Sequence, residues 1–180
     1  GIRDIALVVS PGKEALTDYF RPAPDLEKWL HEQGKPDLAR ELERIARMAR
    51  ITTVVQRRPL GLGHAVLCAE KFVGNEPFAV LLPDDIFDCK PPCLKQMMIR
   101  WEKVHAPIIV LDRVNPSQTA AYGIIRGKRV SNRFYRVNDL VEKPGPAQAP
   151  SLLGVIGRNL LTPAIFPALR KTRPGWGGEI

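Results

Sequence analysis

The 180-residue sequence predicts an α/β architecture, with helices packed around a mixed, mostly parallel sheet. Three observations predict it. Apolar runs at residues 5–10, 51–56, 78–82 and 107–111 are each short enough for one buried strand. Stretches with apolar residues at helical spacing alternate with these runs, the pattern of strands joined by helical crossovers. Seventeen prolines and fourteen glycines punctuate the chain often enough to keep its elements short.

In order, Ile5 to Ser10 reads as a buried parallel strand ended by Pro11-Gly12. Glu14 to Phe20 predicts a helix stopped by Pro22 and Pro24. Asp25 to Gln33 predicts another, with Asp25 as N-cap and Gly34 as terminator. A longer helix starts at Pro36, a residue suited to a first turn. Its Leu38, Leu42, Ile45 and Met48 fall at spacings of four and three, so that face is expected to be buried. Trp29 is assigned to core or boundary packing. Ile51 to Gln56 is β-branched and strand-like, and a helix is expected from His64 to Phe72. Phe78 to Leu82 is a strand ending at Pro83-Asp84-Asp85. Pro92 to Val104 is a helix whose Leu94, Met97, Met98 and Trp101 read as core. A strand follows at Pro107 to Leu111, then antiparallel ribbons over Tyr122–Ile125 and Val130–Val137, a strand over Leu152–Leu161, and a closing helix from Pro163 to Lys171.

Composition bounds the function. With 44% hydrophobic and 26% charged residues the chain is ordinary globular material, and no apolar run approaches the roughly 18 residues of a membrane span. Three scattered cysteines argue against a disulfide scaffold and for a reducing, cytoplasmic setting. The net charge of +8 lies wholly beyond residue 50, because residues 1–50 carry nine Lys/Arg against nine Asp/Glu. Such an excess attracts phosphate-bearing partners. Its densest part is Arg126, Lys128, Arg129, Arg133 and Arg136 around Gly127, read as the turn of a solvated hairpin. No zinc-finger spacing, heptad array or basic–aromatic repeat accompanies the cluster, so nucleic acid is only a runner-up partner.

Three segments fall where ligands bind in open α/β sheets, at or beside strand ends. Gln56 to His64 carries Gly61 and Gly63, which permit close backbone approach before a helix N-terminus. The segment lacks the third glycine of a dinucleotide fingerprint and the lysine of a P-loop, so a tight turn explains it equally well. Pro83-Asp84-Asp85 offers one carboxylate to a magnesium ion and a second to a sugar or a helix cap. Capping of the next turn by Asp85 is the plainer alternative. In Val141-Glu142-Lys143-Pro144 the alternation of an extended segment puts Glu142 and Lys143 on opposite faces, free to meet sugar hydroxyls and phosphate separately. His64 and Cys68 lack the partners of a catalytic pair and read as packing residues.

Taken together, several strings resemble one family. They are Gln56-Arg-Arg-Pro-Leu-Gly-Leu-Gly-His-Ala-Val-Leu-Cys-Ala-Glu70, Glu76-Pro-Phe-Ala-Val-Leu-Leu-Pro-Asp-Asp85, Tyr122-Gly-Ile124 and Leu140-Val-Glu-Lys-Pro144. Ala149-Pro-Ser151, Gly157-Arg158 and Pro174-Gly-Trp-Gly-Gly-Glu-Ile180 follow, with Gly1-Ile2 and Asp18-Tyr-Phe20 near the start. In order and spacing they are similar to the bacterial UTP–glucose-1-phosphate uridylyltransferases, also called UDP-glucose pyrophosphorylases, along the whole chain. The resemblance implies a three-layer Rossmann-like nucleotide-diphospho-sugar transferase fold. It implies Mg2+-dependent formation of UDP-glucose and pyrophosphate from UTP and glucose 1-phosphate, in a homo-oligomer with no membrane attachment.

By the same resemblance, Gln56 and Gly61 hold the uracil ring, Asp84 binds the metal, and Asp85 lines the same mouth on the nucleotide side. Gly123 and Glu142 bind the glucose, and Lys143 reaches the phosphates; Lys143 and Asp84 are the catalytic pair. The family opens with a Gly-x-Gly-Thr-Arg loop and a following lysine, neither of which occurs here, and continues beyond the equivalent of Ile180. Residues 1–180 are therefore expected to form a single catalytic domain, incomplete at both ends and inactive by itself. Leu152 stands where the family has asparagine, and Asn159 where it has an aromatic residue. Another sugar-1-phosphate nucleotidyltransferase, or a non-catalytic basic binding module for nucleic acid, are the alternatives.

Overall fold

The computed structural model describes residues 2–175 and 178–180; Gly1, Trp176 and Gly177 of the terminal motifs lie outside the described residues. The chain divides into two compact units, Gly1–Asn75 with Pro163–Ile180, and Glu76–Thr162.

In the first unit, strands β1 (Asp4–Val9) and β2 (Arg50–Val55) pair in parallel, from Asp4 opposite Arg50 to Val9 opposite Val55. The Arg50 guanidinium grips the Asp4 carboxylate through two bonds of 2.6 and 2.7 Å. The Gln56 amide donates to the Val9 carbonyl at 2.8 Å, carrying the ladder one residue past β2. Between the strands run a 3-10 segment (Glu14–Phe20), α1 (Pro24–Glu32) and α2 (Pro36–Ala46). Both α-helices begin on proline, whose fixed φ and missing N–H suit a first turn. The cap of α1 is therefore Ala23, with Asp25 inside the first turn rather than at the cap.

The apolar stripe of α2 is not the buried face expected from its spacing. Leu42 and Ile45 are half-buried, but Leu38 and Met48 are exposed, and the fully buried residue is Ala39. Helix α2 packs against its neighbour α1. Trp29 is 49% exposed, against its assignment to packing; Leu30 is the buried residue of α1.

Helix α3 (Gly61–Cys68) starts three residues earlier than the sequence suggests, and α4 (Glu70–Val73) follows it at once. Both glycines thus lie in the first turn of α3, and the chain's own residues use the space they leave. The Gly63 amide donates to the Ile180 carbonyl at 2.6 Å and the Ile180 amide to the Leu60 carbonyl at 2.8 Å. A Cβ at Gly61, where φ is +85°, would stand 2.8 Å from the Glu179 Cβ. Helix α6 (Ile165–Lys171) packs on α3, and Arg170 pairs with Glu70.

The second unit is built on one five-stranded sheet. Strand β7 (Leu153–Leu161) takes β4 (Ile108–Arg113) along one edge. Along the other it takes β3 (Phe78–Leu81) at residues 158–161 and β5 (Gly123–Ser131) at Gly154. Strand β6 (Phe134–Glu142) pairs with β5. All these pairs are antiparallel, so the mixed α/β class holds but the parallel share is confined to β1–β2. For β5 and β6 the reason is local, since they are joined by a hairpin too short for a crossover, whereas the β7 pairs join strands that are not neighbours in sequence. That hairpin turns at Asn132-Arg133, with Arg133 at φ 58°, and not at Gly127. Gly127 lies inside β5, where a Cβ would come 2.6 Å from the Arg136 carbonyl. Helix α5 (Cys93–Val104) buries Met97, while Leu94 and Trp101 are half-buried and Met98 is exposed, so its stripe is core only in part.

Candidate functional site

In the first unit the residue after β2 is Gln56, at the carboxyl end of a parallel pair, where α/β sheets present ligand-binding groups. Its side-chain amide donates to the Gly61 carbonyl at 3.1 Å and meets the His64 Nδ1 at 3.0 Å. Both amide hydrogens are thereby engaged and Oε1 remains as the acceptor. His64 has more than a packing role, because its ring nitrogen fixes which way Gln56 points.

In the second unit the topology gathers two groups on one edge of β7. Strand β3 leaves that edge at Arg158 and β5 takes it up at Gly154, so the 82–85 turn fills the interval. The Leu82 amide donates to the Gly157 carbonyl at 2.9 Å, and the Gly157 amide donates to Asp85 Oδ2 at 2.7 Å. Asp85 thus commits one carboxylate oxygen, Oδ2, to a backbone bond. Asp84 is exposed and has no hydrogen-bond or ion-pair partner among the described residues. Arg158 donates to the Leu82, Gly157 and Asp85 carbonyls at 2.7, 2.8 and 2.5 Å, and its guanidinium lies 4.8 Å from the centre of the Phe87 ring.

The other group forms where β5 begins and β6 ends. Gly123 stands opposite Glu142 in register, and a Cβ on Gly123 would lie 3.1 Å from Glu142 Oε2. The Lys143 amide donates to the Tyr122 carbonyl at 3.1 Å. Glu142 and Lys143 do not face opposite ways as an extended segment requires. Strand β6 stops at Glu142, Lys143 takes a left-handed φ of 46°, and its Nζ comes 3.8 Å from Glu142 Oε1. Both side chains are well exposed, so the pair is weak and open to competition from a ligand.

Among the described residues no three His, Cys, Asp or Glu side chains cluster to hold a metal, and no helix is long and apolar enough to cross a membrane. A lone free carboxylate at Asp84 still fits a magnesium ion, which is commonly held by one or two carboxylates and completed by substrate phosphates and water. The sequence strings include His64 and Gly157-Arg158, but their supporting roles, His64 behind Gln56 and the Gly157-Arg158 pair behind Asp85, were not read from them. One signal was present, since an arginine inside a largely apolar strand must find acceptors.

The sequence profile described as nucleotidyl transferase matches residues 29–174. The UTP–glucose-1-phosphate uridylyltransferase YngB of Bacillus subtilis (strain 168) is 43% identical over 180 residues, all of this chain and 61% of the relative. Among solved structures, an apo UDP-glucose pyrophosphorylase is similar with a TM-score of 0.91 and 38% identity, over 99% of this chain and 66% of that one. A UDP-glucose pyrophosphorylase complexed with UDP-glucose gives 0.88 and 37%, over 99% and 65%. The chain thus spans about three-fifths of the length of the curated relative.

Proposed function

The chain belongs to the nucleotidyl transferase family, and from that premise we propose that the protein carrying it is a cytoplasmic, homo-oligomeric UTP–glucose-1-phosphate uridylyltransferase. It transfers UMP from UTP to glucose 1-phosphate, giving UDP-glucose and pyrophosphate. The observation that carries this reading is the 43% identity along all 180 residues to a relative of that name. Direct transfer between phosphates needs no protein nucleophile, and the thiol–imidazole contact beside Gln56, Cys68 Sγ to His64 Nδ1, is long at 3.9 Å and shares a nitrogen that already accepts from the Gln56 amide at 3.0 Å. Residues 1–180 act as part of one catalytic domain.

In the first unit, Gln56 Oε1 accepts the imide N–H of uracil, and Gly61 acts through its backbone, its carbonyl fixing the Gln56 amide. Cytosine, which offers an acceptor at that position, meets oxygen against nitrogen lone pair and is disfavoured. In the second unit, Glu142 accepts hydrogen bonds from glucose hydroxyls beside the backbone of Gly123, where a side chain would intrude. Lys143 exchanges its weak contact with Glu142 for the phosphate, as a compact positive charge. A phosphate oxygen of glucose 1-phosphate then attacks the α-phosphorus of UTP in line, and the bond to the β-phosphate oxygen breaks as pyrophosphate leaves. Asp84 holds Mg2+, which when bound neutralises phosphate charge, and Asp85 keeps the turn in place. Catalysis on this reading is alignment plus charge.

The test is pyrophosphate release from UTP and glucose 1-phosphate by the complete gene product. Lys143→Ala is expected to lower kcat by about a hundredfold or more with little change in KM. An unchanged kcat removes Lys143 from the chemistry, and no turnover by the wild type removes the proposed activity.

A further inference from the structure

We propose that Arg158 is the positioning residue of the metal-side carboxylate, holding the turn that presents Asp84 while touching neither substrate nor metal itself. The inference rests on the reading of Asp84 given above. One planar guanidinium donates to the carbonyls of Leu82 and Asp85, the residues that flank Pro83-Asp84, and to the Gly157 carbonyl beneath them. The face of the same group rests on Phe87, two residues beyond Asp85. Four points around the turn are thus fixed by one rigid fork, which a flexible ammonium could not reproduce.

Gly157 completes the cradle. Its amide binds the Asp85 carboxylate, and a Cβ there would run into that carboxylate and stand 2.5 Å from the Leu82 Cβ. Asp85 and Arg158 therefore hold the turn from two sides, and Pro83 stiffens it from within. What remains free is the Asp84 carboxylate, exposed and without a partner among the described residues. A carboxylate on a pinned turn binds a cation without first having to be ordered, which is how groups outside the ligand set change metal affinity by tenfold or more. Three donors of Arg158 are already engaged with carbonyls, so reaching for a phosphate would mean releasing the turn.

The experiment uses the complete gene product with Mn2+ as probe, its free concentration read by electron paramagnetic resonance in the presence of UDP-glucose. Asp84→Asn is expected to weaken Mn2+ binding. Arg158→Lys keeps the melting temperature within a few degrees, weakens Mn2+ binding on the order of tenfold, and leaves the KM for glucose 1-phosphate unchanged. The double variant binds Mn2+ no more weakly than Asp84→Asn alone, since the two residues act on one ligand. Phe87→Leu, which removes the ring but keeps the guanidinium, gives a smaller loss in the same direction. Wild-type Mn2+ affinity in Arg158→Lys, with Asp84→Asn impaired, overturns the proposal and leaves the site reading standing. Additive losses in the double variant overturn it as well. Wild-type affinity in Asp84→Asn overturns the site reading itself.

Discussion

Burial keeps the Cys93 thiol protonated; desolvation is the largest cause, the neighbouring Cys89 adds to it, and the Arg158 guanidinium opposes both. Because the folded value lies above the unfolded one, the stability linked to this thiol is complete below the ordinary thiol range. It is lost as the pH rises through the folded value. Alkylation by iodoacetamide, followed by peptide mass spectrometry, is expected to reach half its maximal rate at Cys93 at a higher pH than in the unfolded protein. A midpoint at or below the unfolded one removes desolvation as the governing cause. Lys143 makes a different point at the same scale. A non-glycine residue at φ 46° costs on the order of 1 kcal/mol, and surrounding structure has to impose it. Here the hydrogen bond from the Lys143 N–H to the Tyr122 carbonyl does so, and the angle brings Nζ back toward Glu142. Period-two alternation could not anticipate this, because it holds only while the backbone stays extended.

The β5–β6 ribbon carries its charge in register. Lys128 stands directly opposite Arg136, and neither has an ion-pair partner among the described residues. Like charges facing across a ladder destabilise it, so Arg136→Glu is expected to raise stability by about 0.5–1 kcal/mol at low salt. The gain shrinks as added salt screens the pair. Thermal unfolding of wild type and variant at two ionic strengths checks this, and an equal melting temperature at low salt means the repulsion is not felt. Elements of this kind were legible as elements. Most strands and helices fall within a few residues of their expected positions because apolar runs and proline starts are local signals. The expected Val130–Val137 ribbon instead straddles the turn at Asn132-Arg133, β5 running on to Ser131 and β6 to Glu142. Pairing direction was less legible. The helices between β1 and β2 permit a parallel pair, but whether β7 lies between β3 and β4 depends on contacts far apart in sequence. The same holds for the site. Asp84, Glu142 and Lys143 announce themselves by position at strand ends, whereas Arg158 acts only once β7 lies beside the 82–85 turn. Gly61 and Gly63 could be read as places of close approach, though nothing local could say that residues 179 and 180 make the approach.

At the scale of the whole molecule the accessible surface is 13066 Å². Even two unattached folded bodies of half the mass would together expose only about 10,500 Å². Part of the excess is apolar. In the first unit Tyr19 is 80% and Met48 59% exposed, and in the second Ile86 is 90% exposed, each far beyond what its side chain favours. Side chains of this size contribute about 1.5–3 kcal/mol each when fully buried, so a cover for them stabilises the fold substantially. The 180-residue chain expressed by itself is therefore expected to bind anilinonaphthalene sulfonate several-fold more strongly than the complete gene product. Hydroxyl-radical footprinting locates the difference, with Tyr19, Met48 and Ile86 oxidised rapidly in the isolated chain and protected in the complete product. Equal dye binding and equal oxidation in both would make these side chains ordinary surface. Protection of Tyr19 and Met48 without Ile86 would instead assign the cover to the first unit, leaving Ile86, next to Asp85, open to what binds at the 82–85 turn.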